Sequence, residues 1–261
     1  MAASTPDRSG KPEPIIVTLL LERPAAVDDG LLNQRLGNIM DLKPGAGHKP
    51  DFPMVLIADG DVVGGIRVDD PFPEPLDPIA RHAYWWPSAI ADVARSTSYV
   101  AVTSYWSRHS RLEAHIRHLV FIRELIGQLP VIGVLWGHVL LQPATLEGEF
   151  QRLQKGEIPF SLWVLIQFSK QPNGNILIST IGMRQFELME IETESSLPLD
   201  QTFDIVRQFG SYLIAKGPVV NDGETVGQTE AQRIKVRHTR SFRPDVHESV
   251  YRLELLNDRK Q

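Results

Sequence analysis

Apolar positions along this chain switch between two spacings, and the switches mark its elements. Ile15 to Leu21 is β-branched and aliphatic without helical spacing, which predicts a buried strand, and Leu31 to Met40 reads as a short helix. Lys43 to Pro53 is punctuated by Gly and Pro and reads as loop. Within Met54 to Val68, Asp59-Gly60 separates two apolar runs. Glycine accepts the positive φ of a type I′ turn, so the segment predicts a β-hairpin. Asp77-Pro78 reads as an N-cap followed by proline at the first helical position. That helix runs into Trp85-Trp86-Pro87, where Pro87 would lose a helical hydrogen bond. A kink or restart is expected there, with helix to about Arg95. Ser98 to Trp106 predicts a strand, Arg111 to Gln128 a helix whose apolar side holds Leu112, Ile116, Leu119 and Ile122, and Val131 to Trp136 another strand.

The core of this order, βαββαβ, is the split arrangement of ferredoxin-like folds. Ala144 to Lys155 predicts a helix stopped by Gly156, the best place for a boundary. Phe160 to Phe168 and Asn175 to Ile181 then predict two strands joined across Pro172-Asn173-Gly174, with a third strand over Phe186 to Glu194. Phe203 to Lys216 is amphipathic, with Phe203, Val206, Phe209, Leu213 and Ile214 on one side, and Gly217-Pro218 ends it. Strands over Arg233 to His238 and Ser249 to Leu255 complete the second sheet, expected to be antiparallel. The prediction is an α+β chain of two packed halves with mainly antiparallel sheets backed by helices, the first half ferredoxin-like. Residues 1–14 form a disordered tail, 15–142 the first half, 143–158 a connecting helix and 159–261 the second half.

Composition narrows the chemistry. The 261 residues carry a formal net charge of −5, which argues against a basic nucleic-acid binder. There is no cysteine, so disulfides, thiolate metal sites and thiol nucleophiles are excluded. No apolar run approaches the roughly 20 residues of a membrane helix, and the segments flanking Ile15 to Leu21 are charged, so a cytoplasmic location is expected.

Several punctuated segments together resemble a bacterial family, the domain of unknown function numbered 4261. They are Tyr84-Trp85-Trp86-Pro87, Gly133 to Gly137, Pro159 to Trp163, Ile181-Gly182-Met183, and Gly217-Pro218-Val219-Val220-Asn221-Asp222-Gly223-Glu224-Thr225-Val226-Gly227. The resemblance spans roughly Phe52 to Leu255, and the basic stretch Arg233 to Arg243 departs from it. It implies a bacterial α+β domain without an assigned activity, and a setting near secretion and inter-bacterial conflict genes that favours protein binding.

The candidate residues each have a plainer reading beside the functional one. His115 and His118, three apart on one helix with Glu113 and His109 nearby, could hold a divalent ion. The wheel, however, turns Glu113 away from His115, so core histidines and no metal are expected. Trp85, Trp86, Trp136 and Trp163 could floor a ligand site, with core packing preferred. The loop holding Gly217, Asp222, Gly223, Glu224 and Gly227 lacks the P-loop Lys-Ser/Thr, and its carboxylates would repel phosphate. It reads as an ordered turn or a partner contact. Arg233, Lys235 and Arg237 alternate with Ile234 and Val236, making one strand face cationic. Glu190, Glu192 and Glu194 alternate likewise, and cross-strand pairing of the two rows would neutralise both. No nucleophile elbow, zinc-protease helix or dinucleotide turn occurs.

The expectation is therefore a non-enzymatic domain that binds an unidentified protein partner, such as an immunity or accessory factor of a secretion or conflict system. No cofactor, nucleic acid or membrane is called for. The alternative is an enzyme or small-molecule binder with a cleft between the halves, near Arg81, Trp85, Trp136 and the Gly217 to Gly227 loop.

Overall fold

The computed structural model describes residues 13–49, 51–227, 233–243 and 246–256. Of the expected N-terminal tail, all but Glu13 and Pro14 lies outside them. The chain divides into two units, residues 1–74 with 95–132, and residues 75–94 with 133–261. The second unit thus takes a segment from inside the first half of the sequence, which a single linear boundary does not capture.

In the first unit, β1 (Ile15–Leu21) is followed by α1 (Asp29–Leu36), β2 (Leu42–Pro44), β3 (Met54–Ala58), β4 (Asp61–Val68), β5 (Ser98–Tyr105) and α4 (Arg111–Ile126), with α2 and α3 falling in the other unit. β1 lies where expected. α1 begins earlier than expected because the Asp28 side chain accepts from Leu31 N–H and caps it, and it ends at Leu36, before Gly37. β2, read as loop, pairs with β3 through Leu42↔Ala58. Asp59 and Gly60 both take positive φ, 51° and 87°, confirming the type I′ hairpin turn. The strands run β2-β3-β4-β5-β1, each pair antiparallel. β5 stands between β1 and the hairpin strand β4, and this order does not by itself confirm the expected ferredoxin-like half. α4 starts with a reciprocal capping box between Ser110 and Glu113 and buries Leu119, Ile122 and Leu125. Full burial of each such side chain contributes about 2 kcal/mol.

In the second unit, α2 (Asp77–His82) and α3 (Ala89–Val93) are two short helices rather than one kinked helix running to Arg95. Asp77 is the first helical residue, not the cap, and Pro78 sits within the first turn. β6 (Val131–Trp136) crosses the division and forms a hairpin with β7 (Val139–Leu141), a strand too short for its pattern to announce. α5 (Pro143–Gln154) stops before Gly156, as expected. Phe160 to Trp163, expected as strand, is the helical turn α6 (Phe160–Trp163). It precedes β8 (Leu165–Lys170), which pairs with β9 (Ile176–Ile181). Phe186, expected to open a strand, closes the 3₁₀ turn Met183–Phe186, and β10 is shorter (Ile191–Ser195). α7 (Leu199–Lys216), β11 (Thr225–Val226), β12 (Arg233–Arg240) and β13 (Ser249–Leu256) follow. This sheet runs β11-β12-β13-β10-β9-β8. It is antiparallel except for β10 and β13, which pair in parallel through Ile191↔Tyr251. α7 covers one face with Val206, Phe209, Leu213 and Ile214. Gly210 lets it approach closely, since a Cβ there would lie 2.2 Å from the Phe160 ring.

Candidate functional site

A cleft opens where the end of α2 meets β8. α2 stops at His82 because the chain turns to bury Trp86. The Trp86 N–H donates to the Ala83 carbonyl at 2.8 Å, and its indole N–H donates to Asp92 at 2.8 Å. That inward turn leaves Arg81, His82 and Tyr84 outside. The Tyr84 ring stands edge-on to Phe168 of β8 at 5.6 Å and to Phe203 of α7 at 6.5 Å. Tyr84 and Phe168 remain 46% and 45% exposed, so this aromatic pair forms a wall rather than core. Burial of its hydroxyl pushes the Tyr84 phenol up to about 12, keeping it neutral.

The far wall is set by a buried carboxylate. Glu192 of β10 is 2% exposed. It accepts from the Ser241 hydroxyl, from Phe242 N–H at 2.8 Å and from Arg252 at 3.2 Å. The Arg252 guanidinium lies 3.3 Å above the Phe242 ring. These contacts fold the chain after β12 back across the sheet and bring Arg243 to the cleft, whose volume is about 440 Å³. Arg81, His82 and Arg243 line it with Gln167, Ser169 and Ser179, and no carboxylate does among the described residues. Arg81 has no ion-pair partner among the described residues. The described lining of the cleft is thus cationic, hydroxylic and aromatic.

Other expected site residues go elsewhere. Trp86, Trp136 and Trp163 are buried, and Trp136 packs edge-on against Trp163 at 6.3 Å. Trp85 is half-buried and donates to the Leu140 carbonyl at 3.2 Å. The Gly217 to Gly227 loop is an ordered turn that consumes its own polar groups. Gly217, at φ 83°, donates to Leu213, and Glu224 accepts from Asn221 N–H and from its amide at 2.9 and 2.8 Å. Asp222 accepts from His238 N–H, and Gly223, also at φ 83°, donates to Val236. The Asn221 side chain, then its backbone, hold the Glu224 carboxyl below the usual range. Of the loop's singled-out residues Gly227 borders a cavity. This second cavity, of about 400 Å³, lies against α7 with Ile205, Phe209, Tyr212 and Ile234. Arg81, Trp136 and this loop therefore do not converge on one site.

The cationic row does alternate as expected, with Ile234 and Val236 buried. Its neutralisation differs from expectation because β13 stands between β10 and β12, so the glutamate row cannot pair with it directly. Lys235 sits opposite Glu254, and Arg237 lies 3.8 Å from both Asp222 and Glu254, while Arg233 is exposed opposite Leu256. Glu194 is held instead by Asn173 and Asn175. Glu190 accepts from Thr180 and Gly182, with its carboxyl raised by burial.

In the first unit, His115 and His118 are both buried on α4 and serve separate bonds, to the Arg111 carbonyl and the Ser104 hydroxyl. Burial, then His115, lower His118 to about 3. A cluster the sequence did not single out sits at the end of β5. Asp61, 4% exposed, accepts from Ser107 N–H and hydroxyl at 2.9 and 2.7 Å, and its other oxygen lies 3.9 Å from His109. Aspartate, not histidine, is central, so no base activates the serine, and the cluster clamps a loop.

Residues 179–254 match the family model described as Domain of unknown function (DUF4261). The match lies within the second unit. No curated protein and no solved structure matches it. The DUF4261 stretch takes in the Ile181-Gly182-Met183 and Gly217 to Gly227 segments and also the basic stretch Arg233 to Arg243. It supplies Ser179 and Arg243 to the cleft, whereas Arg81, Tyr84 and β8 precede it. No helix among the described residues is long and apolar enough to cross a membrane.

Proposed function

We propose that this chain is a non-catalytic protein-binding module whose contact surface is the α2/β8 cleft of its second unit. The observation that carries the reading is the pairing of two half-exposed aromatic rings, Tyr84 and Phe168, with Arg81 in a cleft lined by no carboxylate among the described residues. Aromatic and arginine side chains dominate protein contacts, and a cleft without an acid–base pair offers recognition rather than chemistry. A bacterial, cytoplasmic setting and a role as an immunity or accessory factor belong to the same proposal, supported by the family resemblance. Affinity capture from source-cell lysate tests it. Wild-type chain is expected to retain a stoichiometric protein, and Tyr84→Ala with Phe168→Ser to reduce that recovery about tenfold. Equal recovery by both chains, or no stoichiometric protein with either, contradicts it.

A second reading, small-molecule binding, is favoured by the roughly 400 Å³ cavity against α7, with apolar Ile205, Phe209 and Ile234 beside polar Gln208 and Tyr212. Ligand-induced thermal stabilisation that Phe209→Ala abolishes would support it over the first.

A further inference from the structure

We infer that two copies of this chain pair, weakly and reversibly, through the open face of the first unit's sheet, with Ile66 of each copy seated over Gly64 of the other. The inference goes beyond the α2/β8 reading and stands apart from it, because none of its residues belongs to that cleft.

Register defines the face. α4 lies on one side of the sheet, where the Ser104 hydroxyl bonds His118. Side chains alternate along a strand, so the positions between those of that side point the other way. Across β4 and β5 the outward pairs are Val62↔Tyr105, Gly64↔Thr103 and Ile66↔Ala101. β1 continues the middle row with Ile16, and β3 continues it with Val55. An antiparallel sheet with one solvated face ordinarily turns polar side chains to water. Here Ile16 and Ile66 are each 53% exposed, Val62 is 44% and Tyr105 37%, and no charged residue stands among them. At the β2 edge Lys43, opposite Ile57, is held by Asp41 at 2.6 Å. Contiguous exposed apolar surface of this kind marks a contact.

Gly64 is the second observation. Glycine inside a strand weakens it, and belongs there where φ is positive, where a Cβ would clash or where another backbone comes close. Gly64 has no positive φ, and a Cβ on it would meet the Met54 carbonyl oxygen at an unforced 3.7 Å. Its neighbour Gly65 differs, since a Cβ there would press on Met54 and Phe52 at 3.1 Å. Over Gly64 lies a depression of about 440 Å³ bounded by Val62, Thr103 and Tyr105, and the Asp61 carboxylate at its rim accepts from Ser107. The fold gives no internal reason for glycine at this position. A close approach from outside supplies one.

A second copy fits because the face carries knob and hole together. Ile66 stands two residues from Gly64 on β4, so a two-fold axis between them lays Ile66 of each copy over Gly64 of the other, the reciprocal contact of an isologous dimer. A face without charge does not repel its own copy, and it offers a charged partner nothing to recognise. Four strands at about 4.8 Å spacing, and about seven residues at about 3.4 Å rise, give roughly 450 Å² on each copy. About 900 Å² in total falls short of a permanent dimer and suits a weak one.

Sedimentation velocity of the full chain, from about 1 to about 200 μM, is the test. The expected result is a monomer–dimer equilibrium with Kd of about 10–100 μM, unchanged or tightened by added salt. Ile66→Lys should weaken it at least tenfold, because the new charge would be buried between copies. Gly64→Val, which fills the hole, should do the same while leaving the thermal midpoint unchanged or raised, since the strand gains a β-branched residue. That second readout separates a contact between copies from a folding defect. A monomer at every concentration, a dimer indifferent to Ile66→Lys and Gly64→Val, or one that salt dissociates overturns the inference. So does a dimer lost with Phe168→Ser, which would place the contact in the cleft. A monomer from which Ile66→Lys releases a captured lysate protein also overturns it, because the face would then dock a different partner.

Discussion

The two ends of the six-stranded sheet solve the same problem in opposite ways. At one end β11 is only two residues long, and the loop before it turns its carboxylates onto its own amides and onto β12. At the other end β8 presents six residues with half-exposed Phe168. A short edge with its charges compensated is closed to pairing, whereas a six-residue edge with a half-exposed aromatic ring is available. The chain thus contains its own control for the docking surface.

Substituting the platform both ends share has the largest effect. Gly210→Val drives a side chain into the Phe160 ring where even a Cβ lies 2.2 Å away, and α7 must lift from the sheet. We expect a loss of about 3 kcal/mol or more in denaturant unfolding, with both ends affected together.

Glu192→Ala acts on the open end only. It leaves the Arg252 cation without its carboxylate and frees Ser241 and Phe242, so a loss of about 3 kcal/mol is expected. Lysate capture should fall as Arg243 leaves its place, while the β11 end keeps its protection in hydrogen exchange. Equal loss of protection at both ends would break the comparison.

Acid separates the first unit from both ends. The folded His118 pKa of about 3 lies below its ordinary 6.5, so its contribution is present above pH 6.5 and is lost as pH falls toward 3. The loss is on the order of a few kcal/mol, and His118→Gln should flatten that part of the stability profile. At the closed end Glu224 has the same sign, its contribution present above the usual carboxylate range and lost as pH falls through its lowered value. Glu224→Gln should change the low-pH slope only slightly, because the carboxylate is solvent-exposed. The smallest effect is expected from Arg81→Glu, within about 0.5 kcal/mol in unfolding because the side chain is exposed, in contrast to the loss of lysate capture it should cause.

How much of this could be read from the residues follows from the range of the interactions. Local rules placed β1, β6, the Asp59-Gly60 turn and the Gly217 stop, because each is decided by a few neighbours along the chain. Phe160 to Trp163 was misread because a short apolar run has no period to distinguish helix from strand. The charge rows were visible, but their pairing required the order of β10, β13 and β12, which alternation does not encode. Arg81 was singled out for its place beside the tryptophans. Phe168 was not, and Arg243 was read only as the end of the basic stretch, since they are brought to the cleft by the fold of β8 and by the buried Glu192.

Amide hydrogen exchange, residue by residue, on the full chain with and without the protein recovered by lysate capture tests the docking claim most directly. The account predicts added protection at Tyr84 and from Ile166 to Ser169, which line the cleft, and none at Thr225 and Val226 of β11. Protection confined to β11, or bound partner that leaves those cleft amides unchanged, would contradict it.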